Sequence, residues 1–184
     1  MTIFRGFIAI EIPATPSIIE FENTIAKTSA DVKLVEPENI HLTLKFLGDT
    51  NEDQIDAIGR VIEESVANIK PFMLTLKGTG VFPNEKYVKV IWVGIVNDDN
   101  LPRIARSIDE KLIPLGFNKE QRGYSAHLTI GRVRTARNKD QLLTAIQKYK
   151  EKEFLQQEIH AVMLKKSDLT PKGPIYTTLR EIPL

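Results

Sequence analysis

A chain of 184 residues, 42% of them hydrophobic, can build one sizeable core or two small lobes that share one. Its net charge of +1 excludes a polycation, so nucleic acid would be met at a local site and not by a global electrostatic grip. The absence of cysteine excludes disulfides, thiolate metal sites and a thiol nucleophile.

The opening MTIFRGFIAIEIP alternates like a strand over residues 3–12, ended by Pro13. It carries Glu11 and leads to no small-residue cleavage site, unlike a signal peptide. Residues 16–29 read as a helix, with Ile18, Ile19, Phe21, Ile25 and Ala26 at helical spacing. Residues 40–47 read as a strand ended by Gly48. Asn51 is placed to cap a helix over 52–69, with Ile55, Ile58, Val61, Ile62 and Val66 on one face. Strands over 72–81 and 87–96 are joined by FPNEK, whose Pro83 and Asn84 are turn formers. The run VIWVGIV at 90–96 is far too short to span a bilayer. The expectation is a cytoplasmic protein that meets no membrane.

Residues 100–115 read as a helix, 124–133 as a strand, 138–150 as a helix, and 154–165 and 175–182 as two final strands. KKSDLTPKGP between the last two is too rich in Pro, Gly and charge for either element. The second half thus approximately repeats the order of the first. The fold class expected is α/β of the α+β type. It has two pseudo-symmetric lobes, each a mainly antiparallel sheet with helices on one face.

Two of the three histidines open nearly the same tetrapeptide, HLTL at 41–44 and HLTI at 127–130. Strand alternation projects His41, Thr43 and Lys45 together, with Leu42, Leu44 and Phe46 opposite. Likewise Ser125, His127 and Thr129 share a face, with Leu128 and Ile130 behind. One such His is usually structural or simply exposed. A His followed by Leu-Thr-aliphatic occurs on the order of once in a thousand at ordinary residue usage, and about once in a hundred in a strand. Two copies are therefore hard to assign to accident. A neutral imidazole accepts a proton and an imidazolium gives one. Threonine hydroxyls donate to phosphate oxygens, and Lys45 adds charge that stabilises a phosphorane-like transition state. Such a set breaks a phosphodiester without a metal, although strand logic leaves open which His plays which part. A zinc site is the weaker reading, because zinc catalysis usually needs three protein ligands. The third histidine, His160, has no ligand-like spacing to the pair and reads as structural or exposed.

The paired H-x-T-x motifs resemble those of the 2H phosphoesterase superfamily. More closely, the chain is similar to the LigT-like RNA 2′,3′-cyclic phosphodiesterases, also called 2′-5′ RNA ligases. RGFIAIEIP, VEPENIHLTLKFLG, GVFPNEKYVKVIWVG, AHLTIGRVR and LKKSDLTPKGPIYTTL carry the likeness in order over nearly the whole chain. The resemblance implies one bilobal unit over residues 1–184 with both motifs facing a central cleft. It implies hydrolysis of RNA 2′,3′-cyclic ends to 2′-phosphate, without cofactor or metal, and in parts of the family the joining or cleaving of 2′-5′ linkages. His41 would be the acid toward the leaving 3′-oxygen and His127 the base that activates water. Thr43 and Thr129 would hold the phosphate. The partners implied are RNA ends, tRNA fragments among them, and a monomer is the default.

Two positions depart from the family pattern: Ala126 stands where Pro is common before the second His, and Val88-Lys89 where Pro-Arg is common. Arg132 matches the motif, but strict alternation points it away from His127, so a bulge near Gly131 would be needed to aim it at phosphate. Its plainer reading is a salt-bridged or solvated strand-end Arg. Phe46, Phe82, Trp92 and Tyr124 read as core, with base stacking the alternative. Lys165 and Lys166 read as part of a solvated turn, with a place in the cleft the alternative. Other functions in play are a 2H hydrolase of small nucleotide cyclic phosphates and a non-catalytic RNA-end-binding module.

Overall fold

The computed structural model describes residues 2–96, 99–171 and 173–184. Nine strands and four helices follow one another as β1 (Ile3–Glu11), α1 (Pro16–Lys27), β2 (Val32–Leu34), β3 (His41–Asn51), α2 (Ile55–Val66), β4 (Phe72–Asn84), β5 (Tyr87–Val96), α3 (Asn100–Leu112), β6 (His127–Val133), α4 (Lys139–Gln147), β7 (Glu153–Ile159), β8 (Ala161–Thr170) and β9 (Gly173–Pro183). Helix starts follow the expected chemistry. The Thr15 hydroxyl caps α1 by accepting from the Ile18 amide. Asn51 and Gln54 form a capping box that leads through a short 3-10 turn into α2.

The strands form two sheets, ordered β3-β1-β8-β9 and β2-β6-β5-β4-β7. Every pairing is antiparallel. The two sheets are not the two halves of the sequence. The hairpin that comes after the first motif strand, β4–β5, joins the second motif strand β6. The hairpin that ends the chain, β8–β9, joins β1 beside the first. Aliphatic side chains from both sheets and all four helices meet in one core, including Ile8, Leu42, Ile91 and Leu128. Each is fully buried, and burial of a side chain of this size contributes about 1.5–3 kcal/mol.

The structure corrects the sequence reading at several places. β2 is too short to show a period. The strand expected over 154–165 is two strands parted at His160, one in each sheet. KKSDLTPKGP is largely strand, because β8 and β9 pair along it; Lys172 lies outside the described residues. The turn expected at FPNEK falls at Glu85-Lys86, where the Asn84 carboxamide oxygen accepts from the Lys86 and Tyr87 amides.

Both motif strands carry an extra residue at the fourth position of the tetrapeptide, and β3 carries a second at Leu47. Along β3 the register steps from Ala9↔Thr43 to Ile8↔Lys45, leaving Leu44 unopposed. Along β6 it steps from Trp92↔Thr129 to Ile91↔Gly131, leaving Ile130 unopposed. Each bulge inverts the alternation of the residues C-terminal to it.

On the same face as Thr129, Trp92 lies opposite Gly80, and a Cβ on Gly80 would overlap the indole ring. Gly80→Ala is therefore expected to displace Trp92 and to cost about 1–3 kcal/mol by overpacking. Urea denaturation checks the cost. The emission of Trp92, the only tryptophan, reports whether the ring has moved. An unchanged spectrum with unchanged stability would contradict this packing.

Candidate active site

Each motif histidine sits at the first residue of its strand. The chain enters each strand from irregular backbone, a 3-10 turn at Pro37–Asn39 before β3 and a loop before β6, which turns the carbonyl two residues earlier toward the ring. The structure uses this twice. His41 Nδ1 lies 2.6 Å from the Asn39 carbonyl oxygen, and His127 Nδ1 lies 2.7 Å from that of Ser125. A carbonyl only accepts, so Nδ1 carries the proton in both rings and Nε2 is the nitrogen left to act. Asn39 is itself fixed, because its side-chain amide donates to the Pro174 carbonyl at 3.0 Å.

Aromatic rings brace the imidazoles. Phe7 and Tyr176 lie 4.9 and 5.1 Å from His41, centroid to centroid, with Tyr176 edge-on. Phe82 meets His127 edge-on at 5.0 Å and also packs on Trp92 at 5.3 Å. His41, Thr43, His127, Thr129, Arg132 and Tyr176 all line one cleft of about 750 Å³. The duplicated tetrapeptide thus converges on one space. His160 stands apart, largely exposed and 3.1 Å from Glu158. Among the described residues no three His, Asp or Glu side chains gather as a metal site.

The bulges decide what joins the histidines. Strict alternation places Lys45 beside Thr43 and buries Phe46. The extra residue at Leu44 instead sets Lys45 opposite Ile8, toward the helix-covered side, and Phe46 opposite Phe7. The Lys45 ammonium ends on Asp109 Oδ1 at 2.5 Å and on the Asn118 carbonyl at 2.7 Å, and the residue is 9% exposed. It ties β3 to α3 and to the loop before β6, and both of its contacts are internal, although the residue still borders the cleft. Phe46 is 69% exposed and lines the cleft, which corrects its reading as core. In β6 the bulge at Ile130 sets Arg132 opposite Val90, two residues along from Trp92, and so into the cleft. The condition for aiming Arg132 is thereby met. Phe82, Trp92 and Tyr124 are half-buried.

Electrostatics differ around the rings. Burial pushes the His41 pKa below its ordinary value. The Asn39 hydrogen bond opposes this, and the nearby Lys165 charge adds to it. Lys165 is buried, on β8 directly across β1 from Phe46, and is ion-paired with Glu11, the cross-strand neighbour of His41. It is therefore not part of a solvated turn, whereas Lys166 pairs with Asp168 at 3.0 Å nearer the surface. Burial raises the Tyr176 phenol, and the Arg132 guanidinium pulls it partly back. Tyr176 and Asn39 are the site residues that alternation around the motifs missed. Asn39 acts toward His41 through its backbone, which no side-chain pattern reports. Tyr176 arrives from the far end of the chain on β9.

The comparisons with known proteins agree with this geometry. A family model described as the 2′-5′ RNA ligase superfamily matches residues 14–168. An RNA 2′,3′-cyclic phosphodiesterase of Methanocaldococcus jannaschii is 44% identical over 179 residues, 96% of this chain and 99% of that protein. One of Methanothermobacter thermautotrophicus is 38% identical over 95% of this chain and 96% of that protein. Among solved structures, TT0787 of Thermus thermophilus superposes with a TM-score of 0.81 at 25% identity, over 98% of this chain and 97% of that one. E. coli LigT complexed with 3′-AMP shares the fold at a TM-score of 0.71 and 21% identity, over 100% of this chain and 99% of that one. With two antiparallel sheets, twin H-x-T-x strands and kinship of this extent, the chain belongs to the 2′-5′ RNA ligase superfamily.

Proposed function

We propose that this protein hydrolyses RNA ends bearing a 2′,3′-cyclic phosphate to 2′-phosphate ends, with His41 and His127 as an acid–base pair. One observation carries the reading: two imidazoles, each with Nδ1 held by the carbonyl two residues earlier, border one cleft. Binding a phosphate needs donors but no proton acceptor, so a matched pair of this kind favours catalysis. The names of the relatives supply the substrate class.

In this mechanism His127 Nε2 takes a proton from water, and the water oxygen attacks phosphorus. The bond from phosphorus to O3′ breaks, and the protonated Nε2 of His41 gives its proton to O3′. The products are a 2′-phosphate and a free 3′-hydroxyl. The hydroxyls of Thr43 and Thr129 donate to the non-bridging oxygens, and Arg132 stabilises the charge that builds on them. Lys45 holds the scaffold through Asp109 and Asn118. Phe46, exposed at the cleft, offers a face to a base. If a 5′-hydroxyl replaces water as the nucleophile, the same groups form a 2′-5′ linkage. Ligation therefore needs no second site.

Incubation with an oligonucleotide ending in a 2′,3′-cyclic phosphate is expected to yield 2′-phosphate ends and to survive EDTA. His41→Ala and His127→Ala should each slow turnover roughly 10²–10⁴-fold, and the double variant should lose far less than the product of the two. His160→Ala should leave the rate unchanged. Release of 3′-phosphate would reverse the roles given to the leaving oxygens. A fully active, correctly folded His41→Ala enzyme would remove the mechanism.

The pH dependence is also fixed in sign. As the acid, His41 must be protonated, so kcat/KM falls as pH rises through the pKa that His41 dominates. Its lowered pKa places that limb at lower pH than an ordinary histidine would. Lys165→Met removes a positive charge and releases the Glu11 carboxylate, and both changes favour the imidazolium. The alkaline limb should move to higher pH while the acid limb stays. Proton NMR titration of His41 checks the same shift directly. The kinetic limbs are macroscopic values of the pair.

A further inference from the structure

The cleft does not end at the two imidazoles. It continues past Phe46, where β3 is the outer strand of its sheet, and runs between α3 and the loop that leads into β6. Helix α3 buries Leu101, Ile104 and Ile108, which leaves Arg103 and Arg106 on the flank that forms the cleft wall. Lys119 faces them from the loop.

The pairing of charges along this stretch is uneven. Among the described residues the side chains of Arg103, Lys119 and Arg132 make no ion pair or hydrogen bond. Arg106 reaches Glu110 at 3.5 Å, with its side chain 81% exposed, and a pair of that kind holds little energy. The anions on the same walls are Asp109, Glu120 and Glu110, the last being the partner of Arg106. Asp109 holds Lys45 and accepts from the Glu120 amide, and Glu120 accepts from the Arg122 amide. The groove is therefore lined by free cations in a protein whose net charge is only +1. Its volume of about 750 Å³ stands in the upper part of the roughly 300–1,000 Å³ range of small-molecule sites. A cyclic phosphate and its ribose do not fill it. Free cations beside an exposed aromatic face are the features by which proteins hold single-stranded nucleic acid.

We infer that Arg103 and Arg106 on α3, with Lys119 opposite, hold the internucleotide phosphate that precedes the terminal cyclic one, so that the enzyme selects oligonucleotide ends over free nucleoside cyclic phosphates. This rests on the reading of His41 and His127 as the reacting pair and adds a second phosphate subsite to it. Planar guanidinium groups suit a phosphodiester, which presents two equivalent oxygens to a fork of donors. The subsite contributes binding only and leaves the chemical step to the histidines.

The test compares adenosine 2′,3′-cyclic phosphate with a trinucleotide ending in the same cyclic phosphate, for the wild type and for the Arg103→Ala/Arg106→Ala double variant. Both arginines are exposed, so the variant is expected to fold. The wild type should prefer the trinucleotide. The variant should lose on the order of tenfold or more in kcat/KM on it, from the lost charged hydrogen bonds, with the mononucleotide rate unchanged. The slope of log kcat/KM against log salt should become shallower for the trinucleotide alone. Equal losses on both substrates, or none on the trinucleotide, would overturn the subsite. Should the wild type turn over neither ester, the reaction assigned above fails. The subsite is then decided by binding of a fluorescent trinucleotide 3′-phosphate, where a weaker grip by the variant supports it and an equal grip overturns it.

Discussion

The hydrogen bond from a ring Nδ1–H to the carbonyl two residues upstream is the contact on which this site depends. It sets the tautomer, fixes the ring plane and sends Nε2 outward in one step. It also costs the protein no additional side chain. The acceptor comes from the backbone of the irregular segment that leads into each strand. What must be arranged is that the upstream carbonyl stays put, and the two sites do this differently. Asn39 is anchored to Pro174 on β9. The segment of Ser125 comes after the loop that Lys45 grips at Asn118.

The second constraint is the paired bulge. A flat strand would give each site an imidazole, a hydroxyl and then a third residue of the same parity. One additional residue at Leu44 and at Ile130 changes that third group. In β3 the change exchanges a lysine for a phenylalanine. In β6 it exchanges a glycine for an arginine. The two strands therefore share an imidazole and a hydroxyl and differ in the third group, an apolar face on one side and a cation on the other. A single asymmetric substrate, with a base at one end and a charge at the other, matches this better than two equal ones would.

Much of this was legible in the sequence, and the limits have physical causes. The helices showed because Ile58 and Ile62, or Ile18, Phe21 and Ile25, recur at helical spacing. His41, Thr43, His127 and Thr129 showed because the same short pattern occurs twice. Alternation misplaces Lys45 and Phe46 because a bulge leaves no mark in composition: Leu44 looks like any core residue. Arg132 lacked the same information, although Gly131 beside it hinted at an irregular strand. β2 has three residues and no period. The segment around Ser167 and Asp168 is polar because β8 and β9 end in a hairpin with exposed positions, and such polarity mimics a loop. Tyr176 and Lys165 reach His41 through β-pairings across more than a hundred residues, which local pattern does not encode.

The exchange of hairpins between the sheets reaches beyond the fold. β1 and β3, made early, wait for β8 and β9, while β6 finds β5 and β4 already made. On a ribosome the second sheet can begin to zip while the first still lacks its last two strands. The ring of His41 lacks its Tyr176 brace, and Asn39 its Pro174 anchor, until β9 emerges. The first motif is thus completed by strands made well after it. A chain cut short before β9 carries both motifs but lacks the groups that brace His41 and anchor Asn39.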